Sequence, residues 1–243
     1  SFPLSIQPVI QPKRAKSRYY DLIYSFKDYE QEAEQIKDLI TQEHPTASSI
    51  RDVACGTAEH AKYLSDNFQI DGIDLEPEFV RIAQNKVPAG RFWDADMSDF
   101  DLDQKYDVVQ CLFSSIGYLK KAGQVVDALN CFKNHLNPDG IILVEPWFSP
   151  EQWNVGSPHV LTIDEPGLKI CRMNSSGLEG NISKMHFHYL IGTPSGVEHF
   201  TEDHELALYT LEEMLSFFEL AGLTVSYDPV GLFDRGLYTA KNK

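Results

Sequence analysis

Four cysteines in 243 residues, none of them in a C-x-x-C pair, leave this chain without a disulfide framework or a zinc-ribbon spacing. Cys55, Cys111, Cys131 and Cys171 are scattered, and reduced thiols in a cytoplasmic protein are the simplest reading. Cys111 falls in an apolar strand and Cys131 on an apolar helix, where a thiol acts as a small core filler. Basic residues are also scarce: 21 Lys and Arg stand against 36 Asp and Glu, a net charge of −15. A surface that tracks nucleic acid needs clustered cations. The short run Lys13-Arg14-Ala15-Lys16 reads as the solvated approach to a helix. No stretch reaches the ~18 apolar residues of a membrane span. The start, Ser1-Phe2-Pro3-Leu4-Ser5-Ile6, is broken by proline and lacks the apolar run of a secretory signal. No repeat or low-complexity tract is visible. Nucleic acid, membrane and secreted disulfide scaffold drop out as function classes.

What is present is the making of one large α/β domain spanning 1–243. An apolar run, Ile50 to Ala54, leads into Cys55-Gly56-Thr57-Ala58-Glu59-His60, and a helical pattern follows. A second apolar strand, Asp71-Gly72-Ile73-Asp74-Leu75, ends on an acid nineteen positions after Cys55. Strand, small-residue turn, helix, strand and terminal carboxylate make a nucleotide-binding βαβ unit, with the acid close to the expected spacing of about 20. The turn lets a ligand approach the backbone, and the acid can hold ribose hydroxyls.

The remaining chain fits this reading. Asp28-Tyr29 opens a helix with Tyr29, Ala33, Ile36 and Ile40 on one face. Core packing is the plain role for Tyr20 and Tyr29, although a phenol beside the nucleotide turn can also stack on a ligand. Pro77 suits the first position of a further helix. Arg91-Phe92-Trp93 is a short strand, and Tyr106 to Phe113 a nearly continuous apolar one of the central parallel kind. Val125, Leu129, Phe132 and Leu136 mark a helix stopped by Asn137-Pro138-Asp139-Gly140, and Ile141 to Val144 is a buried strand ending at Glu145-Pro146-Trp147. From about 158 to 208 the texture changes to short alternating segments (169–172, 183–189, 204–208) that read as antiparallel strands. We take this stretch as an insertion covering one end of the main sheet. The α/β texture returns with Leu211, Met214, Leu215 and Phe218 on a helix and strands at 223–227 and 237–240.

In a doubly wound sheet, ligands sit outside the carboxyl ends of the strands. That rule gathers Ala54 to Ala58, Asp74, Asp96-Met97, Phe113-Ser114-Ser115 and Glu145-Pro146-Trp147 at one rim. The arithmetic alone permits a dinucleotide or S-adenosylmethionine there.

The chain resembles class I S-adenosylmethionine-dependent methyltransferases, and among them the antibiotic-sugar N,N-dimethyltransferases acting on nucleotide-linked amino sugars. The likeness rests on Tyr20-Asp21, Lys27-Asp28-Tyr29, Asp52 to Thr57 with His60, Asp96-Met97 with Asp99-Phe100, and Phe113-Ser114-Ser115-Ile116-Gly117. It continues through Glu145-Pro146-Trp147, Val197-Glu198-His199 and Arg235-Gly236-Leu237, and so covers the chain from about residue 19 onward. It implies a Rossmann-like sheet with an inserted antiparallel β layer, an N-methylating enzyme and a homodimer. On the cofactor side it assigns Ala54, Gly56, Thr57 and His60 to the methionine end of the donor. Tyr20 and Tyr29 close over that end. Asp74 goes to the ribose diol, Leu75, Asp96 and Met97 to the adenine, and Leu112, Phe113 and Ser114 to the route of the methyl group. On the acceptor side it assigns Ser115, Tyr118, Glu145, Trp147, Arg172, His188 and Arg235, the two arginines to a nucleotide diphosphate. Tyr118 and Tyr20 are its catalytic candidates.

The chain departs from the family pattern at three places. Ala58 replaces a glycine-type position, Tyr118 replaces a histidine beside the acceptor amine, and Gln11-Pro12-Lys13 stands where the family tends to have an aromatic residue. A phenol ordinarily titrates near pH ~10, so Tyr118 is a poor base. We assign it to orienting the amine, with the surplus proton going to water. The plain alternatives are packing for Tyr118, a surface salt bridge for Arg172 and neutralisation of Arg235 by a carboxylate such as Asp234. His186 and His188 share a strand face, followed by His199 and His204. The loose spacing favours ordinary hydrogen bonds over a metal site, and no metal is assigned. Competing functions are O- or N-methylation of another small metabolite, a non-catalytic adenosine-binding protein, and a nicotinamide oxidoreductase.

Overall fold

A computed structural model describes residues 12–243. Ser1 to Ile6 and Gln11 lie outside the described residues, as do the side chains of Lys13, Arg14 and Lys16. The helices are α1 (Pro12–Ile23), α2 (Tyr29–Glu43), α3 (Glu59–Leu64), α4 (Pro77–Lys86), α5 (Ala122–Asn134) and α6 (Leu211–Leu220). Strands β1 (Ser49–Val53), β2 (Gln69–Asp74), β3 (Phe92–Asp94), β4 (Tyr106–Cys111) and β5 (Leu136–Val144) alternate with them. Four longer strands follow, β6 (Pro158–Glu165), β7 (Leu168–Glu179), β8 (Ile182–Thr193) and β9 (Gly196–Ala207), and then β10 (Leu223–Asp228) and β11 (Leu237–Asn242).

The chain divides into two compact units. The larger comprises Lys27–Trp153, Leu178–Ser183 and Glu205–Lys243. Its seven-stranded sheet has the order β10-β11-β5-β4-β1-β2-β3. β1 pairs in parallel with both β2 and β4, so the winding reverses at the carboxyl ends of β1 and β4. β11 alone enters antiparallel, between β5 and β10. Strands β1, β4 and β5 are largely buried on both sides because helices cover both faces. On one face Ile36 and Ile40 of α2, Ala61 and Leu64 of α3 and Ala83 of α4 pack on Ile50, Ile70, Val108, Ile141 and Leu143. On the other, Val125, Leu129 and Phe132 of α5 and Met214, Phe217 and Phe218 of α6 pack on Val53, Ile73, Val109, Ile142 and Val144.

Caps fix where the helices start. The Asp28 carboxylate accepts from the Gln31 N–H at 2.9 Å at the head of α2, and Glu30 and Glu32 add negative charge to its first turn. Thr210 and Glu213 form a reciprocal capping box at α6. One boundary differs from the sequence pattern, because α5 ends at Asn134 and Leu136 already belongs to β5. His135 closes the helix: its ring Nδ1 lies 2.7 Å from the Cys131 carbonyl and its Nε2 accepts from the Leu102 N–H at 2.9 Å. The segment 137–140 is then an irregularity inside β5, with a register shift against β4 and Asp139 at φ 64°.

The smaller unit holds the described chain from Pro12 to Phe26 with Asn154–Gly177 and Lys184–His204. Its sheet has the order β6-β7-β8-β9, with β6 and β7 antiparallel. Ile170, Phe187, Tyr189, Ile191 and Phe200 alternate onto one face and bury Ile23 at the end of α1. Tyr189 and Phe200 stack at 4.6 Å. Among the described residues no helix is long and apolar enough to cross a membrane.

Candidate active site

The turn after β1 is built from three left-handed residues, Ala54 at φ 54°, Gly56 at 56° and Ala58 at 63°. Glycine adopts this conformation freely, whereas each alanine there costs roughly 1–2 kcal/mol. Neighbouring backbone holds the turn: Cys55 N–H donates to the Ile73 carbonyl and Ala58 N–H to the Cys55 carbonyl, both at 2.9 Å. Gly72 on β2 makes room for it, since a Cβ there would lie 2.9 Å from Cys55 Sγ and 2.7 Å from the Phe92 ring. The Asp74 carboxylate ends β2. It accepts from the Gly56 N–H at 2.8 Å and the Glu76 N–H at 2.9 Å, so its orientation is fixed by backbone. Beside it Leu75 is 70 % exposed. In the loop after β3, Asp96 accepts from the Ser98 N–H and hydroxyl, and Met97 packs on the core.

On the α2–α3 face the strand rows turn from apolar to polar as they reach this rim. Ile50 is followed by Asp52, Val108 by Gln110 and Leu143 by Glu145, all buried. Gln110 Nε2 donates to Asp52 Oδ1 at 3.1 Å. Burial pushes the Asp52 carboxyl up to about 6, with His60 and Gln110 opposing. Burial likewise pushes Glu145 up against the pull of Lys27, and its Oε2 has no hydrogen-bond partner. Above this row lies an ionic bridge. One oxygen of Glu32 sits 3.0 Å from the Lys27 ammonium and the other 2.7 Å from His60 Nε2. Burial is the largest influence on Glu32 and raises it, but His60 and Lys27 together hold it below the usual range. The Lys27 ammonium lies 4.0 Å from the centre of the Phe113 ring, with Tyr29 and Phe233 at 5.3 and 5.1 Å. Tyr29 meets the His60 ring edge-on at 4.9 Å.

At the end of β4 the backbone turns sharply, Phe113 at φ 53° and Ser114 at 62°. Ser114 Oγ donates to the Pro146 carbonyl at 2.6 Å and accepts from Arg235 Nη1 at 3.2 Å. The Arg235 guanidinium packs on Trp147 at 4.8 Å and Phe148 at 4.5 Å. Ser115 to Tyr118 form one turn of 3-10 helix, on which Tyr118 is 45 % exposed. A Cβ on Gly117 would fall 2.8 Å from Trp147 Cβ and 3.1 Å from the Leu206 side chain, so this glycine lets the indole close in. Trp147 Nε1 donates to Ser183 Oγ at 2.9 Å, and that hydroxyl donates to the Leu206 carbonyl at 2.9 Å. Gly117, Trp147, Gln152, Tyr209 and Arg235 line a cavity of about 150 Å³.

Three candidates belong to the smaller unit. Tyr20 packs on Tyr24 at 4.7 Å. Arg172 lies over Phe187 at 4.7 Å and Tyr24 at 5.5 Å, with a buried Nη1 that lacks a hydrogen-bond partner. His188 is exposed, stacked parallel on His199, with Nδ1 3.3 Å from that ring's Nε2. His186 pairs instead with Asp203. Among the described residues no three His, Cys, Asp or Glu side chains are grouped to hold a metal ion.

Comparison with known proteins gives this rim its name. Residues 50–140 match the model of a methyltransferase domain family. The chain is 37% identical over 224 residues (90% of this chain, 88% of the relative) to the dTDP-3-amino-3,6-dideoxy-alpha-D-glucopyranose N,N-dimethyltransferase of Streptomyces fradiae. The chain is an S-adenosylmethionine-dependent methyltransferase. It belongs to the family of the amino-sugar N,N-dimethyltransferases. A second relative, the dTDP-3-amino-3,4,6-trideoxy-alpha-D-glucopyranose N,N-dimethyltransferase of Streptomyces venezuelae, is 36% identical over 90% of this chain and 94% of its own. The crystal structure of Streptomyces venezuelae DesVI superposes with a TM-score of 0.89 at 33% identity, covering 96% of this chain and all of that one. CalS10, an amino pentose methyltransferase from Micromonospora echinaspora solved with S-adenosylmethionine bound, gives 0.84 at 28% identity over 98% and 99% of the two chains.

The methyltransferase's residues fit the cofactor. A left-handed turn with no side chain at Gly56, a carboxylate fixed by two backbone N–H groups and an exposed leucine beside it suit a nucleoside with a free diol. Alanine at position 58 keeps the left-handed backbone that glycine would adopt without strain. The Glu32 bridge is what reading the sequence misses. The signal is present, since Glu32 shares the helix face of Tyr29, Ala33, Ile36 and Ile40, and a carboxylate on a core face must be paired.

Proposed function

We propose that this methyltransferase methylates, once or twice, the amine of a small acceptor, a dTDP-linked amino sugar. The observation that carries this reading is the 37% identity over 90% of the chain to an enzyme named for that reaction. The site supports it. The Arg235 guanidinium sits over Trp147 and Phe148 with one nitrogen tied to Ser114, and it lines a cavity. A planar fork held in this way suits the paired oxygens of a diphosphate. We infer that the acceptor side consists of Ser115, Tyr118, Glu145, Trp147 and Arg235.

When bound, S-adenosylmethionine supplies a methyl group on a sulfonium centre. The protein's part is alignment, and oriented reactants reach effective molarities of about 10⁵–10⁸ M. Asp74 and the turn at Gly56 hold the donor, Tyr118 orients the amine, and the amine's surplus proton goes to water. Tyr29 closes over the donor's amino-acid end. We also infer a homodimer in the cytoplasm, as the family resemblance implies. A second reading, methylation of another small metabolite, rests on Tyr118 at the position where the family has histidine.

Arg235→Ala tests the acceptor. The KM for a dTDP-amino sugar should rise at least about tenfold, roughly 1.4 kcal/mol. An unchanged KM would remove the diphosphate from the account.

A further inference from the structure

Glu32 joins the two elements flanking the cradle by charge. It stands in the first turn of α2, 3 % exposed. One oxygen reaches back to Lys27, ahead of that helix, at 3.0 Å, and the other reaches across to His60 on α3 at 2.7 Å. Lys27 in turn sits against Phe113, 4.0 Å from the ring centre, and His60 takes the edge of Tyr29 at 4.9 Å. One carboxylate therefore sets the placement of an ammonium, an imidazole and two aromatic rings. A buried ion pair of this kind is a poor device for stability alone, because well-packed apolar residues do as well or better.

We propose that Glu32 is a positioning residue for the amino-acid end of the methyl donor, acting through Lys27 and His60. The proposal deepens the methyltransferase reading and rests on it. Strand order says which end of the donor is meant. Asp74 ends β2, whereas Lys27, His60, Phe113 and Glu145 gather over the ends of β1, β4 and β5, astride the winding reversal. Strands lie about 4.8 Å apart, so a donor whose ribose is held at β2 brings its tail to this cluster. The charged groups facing His60 are Glu32 and Lys27 from the α2 side, Asp52 from β1 and Glu145 from the end of β5.

Calorimetry with two probes tests this. S-adenosylhomocysteine carries the amino-acid tail, and 5′-methylthioadenosine lacks it. Glu32→Gln keeps the shape but loses the charge, while the paired variant Lys27→Met with Glu32→Leu replaces the bridge by apolar packing and guards against a folding defect. Both variants should bind S-adenosylhomocysteine at least about tenfold more weakly, and 5′-methylthioadenosine within about threefold of the parent. Unchanged S-adenosylhomocysteine affinity in the folded paired variant, or equal losses for both probes, would overturn the proposal. A parent protein that binds neither probe would instead overturn the methyltransferase reading.

Discussion

Replacing Asp52 by Asn should stabilise the protein at neutral pH and leave its stability near pH 4 almost unchanged. Asp52 is 3 % exposed, and its carboxyl, ordinarily near 3.8, ionises only at about 6 in the folded chain. Between those values the folded chain keeps a proton that the unfolded chain has released. Stability contributed at low pH is therefore lost as pH rises from 4 to 6, and above 6 the buried charge costs the native state about 3 kcal/mol. Asparagine cannot ionise, and its carbonyl can still accept from Gln110 Nε2, which now donates to Asp52 at 3.1 Å. Burial also raises the carboxyl of Glu145, with the same sign of pH dependence, but that group is present in both proteins and cancels in their difference. Urea unfolding of the two proteins at half-unit steps from pH 4 to pH 8 would measure the difference curve. It should start near zero, rise through pH 5 and level off above pH 6.5 at about 2–3 kcal/mol in favour of the variant. A flat curve would refute the assignment of a costly buried charge to Asp52.

Two further substitutions address the loop after β4. Tyr118→Phe should lower turnover at least about tenfold, roughly 1.4 kcal/mol, and a smaller loss would mean that the exposed phenol does not orient the acceptor. Gly117→Ala pushes a methyl group to 2.8 Å from Trp147 Cβ, and overpacking of that kind costs about 1–3 kcal/mol. Chemical unfolding should show this loss together with a raised KM for the acceptor, and a variant as stable as the parent would mean that the loop yields without strain.

The residues that make the fold legible are those whose pattern has a single physical meaning. Tyr106 to Phe113 is nearly continuous in apolar residues, as a strand covered by helices on both faces requires, and it forms a central strand beside β1, where Arg51 and Asp52 are buried despite their charge. The acid at the end of β2 is legible for the same reason, and it meets the turn through the Gly56 N–H. β6 is hidden because it is largely exposed along its length and begins with proline, so no alternation marks it. The end of α5 is hidden because Leu136 continues the helical spacing while His135 closes the helix through ring contacts that no local pattern encodes. The polar layer is half hidden. Gln110 and Glu145 each sit in an apolar run and Asp52 follows Arg51; only the parallel register sets Asp52 opposite Gln110, with Glu145 two residues beyond Leu143 on the same face. Lys27 and Glu32 need the tertiary approach of α2 to α3 before they mean anything.

The acceptor is the central claim, and mass analysis of the product tests it most directly. Incubated with S-adenosylmethionine and a dTDP-linked amino sugar, the protein should add one or two methyl groups to the amine. The same sugar without its nucleotide should be methylated at least about tenfold more slowly. Methylation of the free sugar at the same rate, or of simple amines in preference to the nucleotide-linked one, would contradict the account.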